Sequence, residues 1–525
     1  MSSRTDRTAR MIVRRVALCL LVAATGGFAV AGSAGARSSA DWDPSQLKSQ
    51  VTKFTLANGL RFVVMERHDT PVFSFMTHVD AGSVDEAAGE TGLAHMFEHM
   101  AFKGTRTIGT KDYGKEKELI EKVDALFMQL YAERDKGAAA DPERMAALRA
   151  QITAAEKEAD ALVETNEFGQ AIDRAGGVGL NASTAQDGTY YYYSLPSNRL
   201  EMWALLEADR FLDPVFRQYY KERDVVIEER RMRVDSQPFG QFIEELQGVA
   251  FRAHPYKNST IGHRSDLDNL TLEAAHRFYH TYYTPQNMVV ALVGDVYPAE
   301  VKRLAEKYFS KIPRRADPPV VRTLEPEQKG QRRFVLPGDT QPIFGMGFHR
   351  PDQTHADDAA LSVLGSVLGD GRTSRLYKRM VKDEKGALAV GSFNGFPGSK
   401  YPTLFIVFAI PNSGFTPEQM ETVSFEEIAK IQESGITDEE LTRIKTQTRA
   451  SFIRSLEGNQ GLAGSLAEFE ILRGGWEKLF DEVARIEAVT VEQVQQAART
   501  YLTKENSTVG HMVTKSGDKT VAKSN

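Results

Sequence analysis

The sequence has 525 residues, 41% of them hydrophobic and 26% charged, which is ordinary globular material with length for more than one domain-sized core. Lysine and arginine total 65 against 71 aspartates and glutamates, a formal charge of -6. That balance is too mild to argue for a nucleic acid or an anionic membrane as partner.

The first residues are of a different kind. Arg4, Arg7, Arg10, Arg14 and Arg15 precede an apolar run over 16–30, and small residues follow, ending Ala34-Gly35-Ala36. This is the layout of a secretory signal peptide over 1–36, with cleavage expected after Ala36. The apolar run is short and broken by Thr25, Gly26 and Gly27, so removal is expected rather than a stable membrane span. The mature chain is expected to be exported, either periplasmic or secreted. Cys19 is the only cysteine and would leave with the leader, so a metal site in the mature chain must use histidine and carboxylates.

A first domain is expected over 49–312. Asn58-Gly59 between two apolar runs predicts a hairpin. A strand over 72–79 then leads through Gly82 to a helix over 92–102. Apolar residues at helical spacing within an Ala-, Glu-, Lys- and Arg-rich stretch predict a helical hairpin insertion over about 111–168, turning near 136–142 and reading as a solvated pair. A strand-like run over 181–195 holds four consecutive tyrosines from Tyr190, expected to pack in the core or a wall. Helices over 200–211 and 222–235, a strand over 288–295 and a helix over 298–309 complete this half.

A proline-rich linker is expected over 313–330, and over 331–518 the plan restarts with strands around 333–335 and 343–348 and a helix over 357–368. The predicted fold class is α+β, with two domains of similar build, each a mixed or antiparallel sheet packed with helices. The second weakly repeats the first and lacks metal ligands.

The sharpest motif is His95-Met96-Phe97-Glu98-His99. It sets two imidazoles one helical turn apart on one face, where both can reach a single ion. A catalytic zinc leaves one position to water, and Glu98 stands where it can accept that water's proton. The bland alternative is a pair of core histidines, but burying Glu98 beside them in an apolar helix is costly without a compensating cation. A third ligand is sought in Tyr219-Tyr220-Lys221-Glu222-Arg223-Asp224-Val225-Val226-Ile227-Glu228-Glu229-Arg230, where Glu222 and Glu229 share one helix face. From spacing alone that helix is equally a solvated, salt-bridged surface.

The stretch Gly92-Leu93-Ala94-His95-Met96-Phe97-Glu98-His99-Met100-Ala101-Phe102-Lys103-Gly104-Thr105, with Glu222-Arg223-Asp224-Val225-Val226-Ile227-Glu228-Glu229, closely resembles the pitrilysin/insulinase family of zinc peptidases. These carry the inverted form of the thermolysin-type zinc motif. The resemblance covers essentially the whole mature chain. It implies a half clamshell of two homologous domains holding one zinc ion per chain. His95, His99 and Glu229 are then the ligands, Glu98 the catalytic base, and Glu222 a carboxylate steering a ligand histidine. It also implies that a peptide substrate adds as a strand on a sheet edge matched by Asn181-Ala182-Ser183-Thr184.

In that family the second type of domain contributes an arginine and a tyrosine, seven residues apart, that polarise the scissile carbonyl. Here Lys382 and Ala389 stand at those positions. The resemblance therefore implies the zinc-bearing subunit of a two-subunit endopeptidase, with a related chain, or self-association, supplying the Arg–Tyr pair. A metal-binding scaffold subunit without turnover is the competing reading, against which an intact Glu98 argues.

Overall fold

The computed structural model describes residues 44–515; the signal-peptide reading of 1–36 lies outside them. The first half builds a six-stranded sheet from β1 (Val51–Thr55), β2 (Arg61–Glu66), β3 (Val72–Val79), β4 (Val178–Thr184), β5 (Thr189–Pro196) and β6 (Met288–Gly294). Its spatial order is β1-β2-β6-β3-β5-β4. The β1–β2 hairpin turns at Gly59, whose φ of 95° suits glycine. The Asn58 side chain pins that turn by donating to the carbonyls of Phe309 and Ile312 at 2.9 and 3.0 Å.

The run expected as one strand over 181–195 is two antiparallel strands, with Thr184 opposite Thr189 and a turn at 185–188. Ala185 N–H donates to the Gly188 carbonyl at 2.9 Å. Gly188 sits so close beneath β3 that a Cβ there would stand 2.3 Å from His78 Nε2. Among the described residues β4 pairs only with β5, which makes it an open edge of the sheet, as β1 is at the other end.

Side chains alternate strictly across this sheet, as a pleat requires. Phe62, Val64, Phe73, Phe75, Val290 and Leu292 enter a core shared with the helices of the first half. Val63, Met65, Met76, Val289, Ala291 and Val293 face the other way and are covered by Leu462, Ala463, Leu466 and Ala467. Those four lie on the helix Asn459–Leu472, which comes from the second half of the chain.

The second half builds β7 (Arg332–Gly338), β8 (Ile343–Arg350), β9 (Ala387–Asn394), β10 (Thr403–Pro411) and β11 (Ser507–Thr514), in the order β7-β11-β8-β10-β9. That order and its strand directions repeat β2-β6-β3-β5-β4. The pairs β2/β6 and β7/β11 are parallel and the remaining pairs antiparallel. The fold is α+β with two homologous halves. The far face of the second sheet receives the helix Pro238–Ala250 from the first half, whose Phe242 and Leu246 pack against Ile343, Leu404, Ile406 and Met512. Each half thus lends a helix to the other's sheet.

The predicted hairpin is present as the helices Tyr113–Arg134 and Pro142–Asp160. It is more than a solvated pair, because Val123, Leu126, Phe127, Leu130, Leu148 and Ile152 are buried in the first core. Phe127 stacks on Tyr220 with ring centroids 3.7 Å apart, and the Tyr220 hydroxyl donates to Asp124 at 2.5 Å. The hairpin therefore buttresses the stretch from which a third ligand was sought.

Candidate metal centre

The motif helix Leu93–Met100 begins at Gly92, in the left-handed region with φ 90°. The buried Glu86 carboxylate accepts from the backbone N–H of Gly92 at 2.9 Å and of Ala94 at 2.7 Å, filling the role of a helix cap. Leu93, Met96, Phe97 and Met100 are buried in the core and fix the helix's rotation. That rotation leaves His95 buried and Glu98 and His99 half-buried.

A second helix, Tyr219–Arg230, packs on the first. The loop before it is anchored by Arg217, which is 1% exposed. Its guanidinium donates to Glu116 at 2.8 Å and to the carbonyls of Thr105 and Ile108 at 2.6 and 3.1 Å. Glu229 Oε2 stands 3.7 Å from His95 Nε2 and 3.5 Å from His99 Nε2. The neighbouring Glu228 points outward into an ion pair with Arg231 at 2.9 Å. Glu222 Oε2 lies 3.4 Å from His99 Nδ1, and its other oxygen is paired with Lys103.

The donor set fits zinc. A tetrahedral ion with bonds of about 2.0–2.1 Å requires ligand atoms about 3.4 Å apart, close to the separations here. Among the described residues, His95, His99 and Glu229 form a group able to hold a metal ion, with all ligand atoms within 4.8 Å of one another. Burial holds His95 down at about 4, so it is neutral and offers a lone pair. Burial alone would raise Glu229, but the hydrogen bond from His99, the charge that His95 gains only in acid, and the charge of Arg233 outweigh it and bring the carboxyl to about 2. His99 goes the other way: burial lowers it, and the carboxylates of Glu222, Glu229 and Glu98 lift it to about 9.

Glu98 is held between this group and the sheet edge. Burial raises its pKa, and a 2.6 Å hydrogen bond donated by the Thr184 hydroxyl counters part of that rise. Of the residues expected on the edge, Asn181 is exposed, Ala182 buried, and Ser183 and Thr184 half-buried. Asn181 lines a cleft of about 390 Å³ together with Glu98, His99, Phe102 and Phe168. Thr184 thus faces the Glu98 carboxylate, a contact that sequence spacing did not reveal. Sequence reasoning also missed Glu86, Lys103 and Arg233. Only Arg233, four residues beyond Glu229, carried a readable signal, as an i,i+4 charge pair.

In the second half, Lys382 is exposed on the π-helical turn Tyr377–Asp383, and Ala389 is half-buried in β9. The nearby Arg379 is engaged by Glu384, Glu426 and Glu427.

The family model described as "Insulinase (Peptidase family M16)" matches residues 61–136 and 161–264, and the one described as "Peptidase M16 inactive domain" matches 269–448. The chain belongs to peptidase family M16. The match passes over 137–160, which is the turn and second helix of the hairpin. Among M16 relatives, the "Zinc protease PqqE" of Helicobacter pylori is 28% identical over 462 residues, covering 86% of this chain and 90% of that one. A crystal structure of a protease from Helicobacter pylori superposes with a TM-score of 0.74 at 26% identity, covering 88% of this chain and 99% of that chain. The periplasmic protease PqqL from Escherichia coli shares the fold, with a TM-score of 0.66 at 17% identity. There the match covers 88% of this chain but 47% of that one. Family membership and the names of the relatives support a function of zinc-protease type.

Proposed function

We propose that this chain is the zinc-bearing subunit of an exported metalloendopeptidase that cuts peptides and unfolded segments. One zinc ion is held by His95, His99 and Glu229. The observation that carries this reading is the convergence of three ligand atoms beside a carboxylate, Glu98, that faces an open sheet edge. When bound, zinc supplies Lewis acidity that lowers the pKa of water and polarises a carbonyl. Glu98 takes the proton of the attacking water on its carboxylate and passes it to the leaving amine. Its burial raises its pKa, which suits a base working near neutral pH. Glu222 fixes the orientation of His99 through Nδ1. The substrate lies as an added strand beside β4, so main-chain pairing gives affinity with broad tolerance of sequence.

A related subunit is proposed to close over this site and bring the missing arginine and tyrosine; self-association is the other arrangement. The support is local: Ala389 has no side-chain donor and Arg379 is already engaged. That the chain matches about half the length of the PqqL protease agrees with a paired arrangement. Export is proposed from the arginine-rich, apolar and small-residue layout of 1–36.

The test is Glu98→Gln, assayed with the partner. The variant should keep zinc by metal analysis and lose cleavage by about 10²–10⁴-fold. Retained cleavage would refute the mechanism and leave a metal-binding scaffold as the better reading. The native chain alone should bind zinc and cleave peptides poorly; full activity from a verified monomer would remove the need for a second subunit.

A further inference from the structure

Glu229 has two carboxylate oxygens, and they have different neighbours. Oε2 faces the Nε2 atoms of His95 and His99. Oε1 is ion-paired with the Arg233 guanidinium, with Nη2 at 2.8 Å. Arg233 lies in the π-helical turn Arg231–Asp235, which continues directly from the helix Tyr219–Arg230. A residue four places on returns to the same side of a helix, so the guanidinium reaches back over Glu229.

The turn is held from several sides. Ser236 Oγ donates to the Arg231 carbonyl at 2.6 Å. Gly240 backs onto the turn so tightly that a Cβ there would stand 2.2 Å from the Arg233 carbonyl. Arg230 is clamped by both oxygens of Glu244 at 2.8 and 2.9 Å. An i,i+4 ion pair with a side chain 66% exposed is ordinarily worth little. This one differs because its carboxylate points its other oxygen at two imidazoles.

We infer that Arg233 is a positioning residue that makes Glu229 a one-oxygen ligand. By holding Oε1, it leaves Oε2 alone for the ion and keeps the remaining position open for water, as a catalytic zinc site requires. Without it, the carboxylate would be free to rotate and bring its second oxygen to the metal as well, crowding the water position into a five-coordinate site. Arg233 does for Glu229 what Glu222 does for His99: each ligand has its own partner fixing which atom it presents. The inference rests on the zinc reading of His95, His99 and Glu229 and adds to it the denticity of the carboxylate.

The test uses the full chain with Arg233→Met and Arg233→Lys. Zinc affinity is measured by competition with a chromophoric chelator, apo-protein stability by thermal melting, and coordination by the visible spectrum with cobalt(II) in place of zinc. Arg233→Met should weaken zinc binding about 10–100-fold and leave the apo melting temperature unchanged. It should also turn the strong absorption of a four-coordinate cobalt site into the weaker absorption of a five-coordinate one. Arg233→Lys should restore most of the affinity and the native spectrum, and it carries the comparison if the methionine variant does not fold. Zinc affinity within about twofold of native, with an unchanged cobalt spectrum, would overturn the proposal. A native chain that binds no zinc would instead overturn the metal reading beneath it.

Discussion

The two sheets share an order and strand directions, yet the layer between each edge strand and the helix behind it is built differently. Behind β9 lies the helix Asp358–Leu368, almost wholly apolar and buried. Ser392 Oγ on the edge strand donates to that helix's Gly365 carbonyl at 2.6 Å. Gly369 lets the two close up, since a Cβ there would meet Ser392 N at 2.5 Å. Behind β4 the corresponding helix carries His95, Glu98 and His99. The edge hydroxyl, Thr184, donates to a side chain, Glu98, instead of a backbone carbonyl. Repeated topology supplies the same slot twice; one is filled with packing and the other with titratable groups.

The second half still shapes the site, through the exchanged helices. Pro238–Ala250 follows the Glu229 helix after one π-helical turn and is seated on the second sheet by Phe242, whose ring lies over Gly345, 2.7 Å from where a Cβ would be. Phe242→Ala should therefore cost about 3–5 kcal/mol in denaturant unfolding and also weaken zinc binding, because Glu229 loses its distal anchor. Leu466→Ala, on the opposite exchanged helix, should cost about 2–5 kcal/mol. It should leave zinc affinity per folded molecule unchanged, since Leu466 packs on the face of the first sheet away from the motif helix. Equal loss of zinc in both variants would break the asymmetry argued here.

Ser392→Ala asks whether the second slot is purely structural. It removes one of two donors to the Gly365 carbonyl, which still accepts from the Gly369 N–H at 3.0 Å, so a loss of about 0.5–1.5 kcal/mol is expected. Cleavage measured with the partner should keep its native pH profile. Any change in that profile would mean the second slot communicates with the first.

What was legible in the sequence was local. The His-x-x-Glu-His spacing fixes which side chains share a helix face, and Asn58-Gly59 fixes a hairpin, because both depend on residues a few places apart. The Asp187-Gly188 pair was an equally good hairpin signal inside the tyrosine-rich run, and it marks the turn that makes β4 an edge. Asp187 there also accepts from the N–H groups of Ser399 and Lys400 at 2.6 and 3.0 Å, tying the turn to the second half. The exchanged helices were not legible. Leu462, Leu466 and Phe242 announce a buried face, but periodicity does not say which sheet will bury it. The choice of Glu229 over Glu228 needed the family resemblance, since both lie on one short acidic helix.

The finest test of the contrast is Thr184→Val. Valine keeps the β-branched shape and the strand but cannot donate to Glu98. Burial already raises the Glu98 pKa and the Thr184 hydrogen bond lowers it, so removing the hydroxyl must raise it further. A carboxylate with a higher pKa stays protonated to higher pH and is lost as a base over that range. The acid limb of kcat/KM, measured with the partner present, should therefore move to higher pH in Thr184→Val, with activity recovered on the alkaline side. An unmoved acid limb with a raised KM would instead assign the hydroxyl to the incoming substrate strand. In that case Thr184 and Ser392 would no longer be counterparts bridging edge to helix.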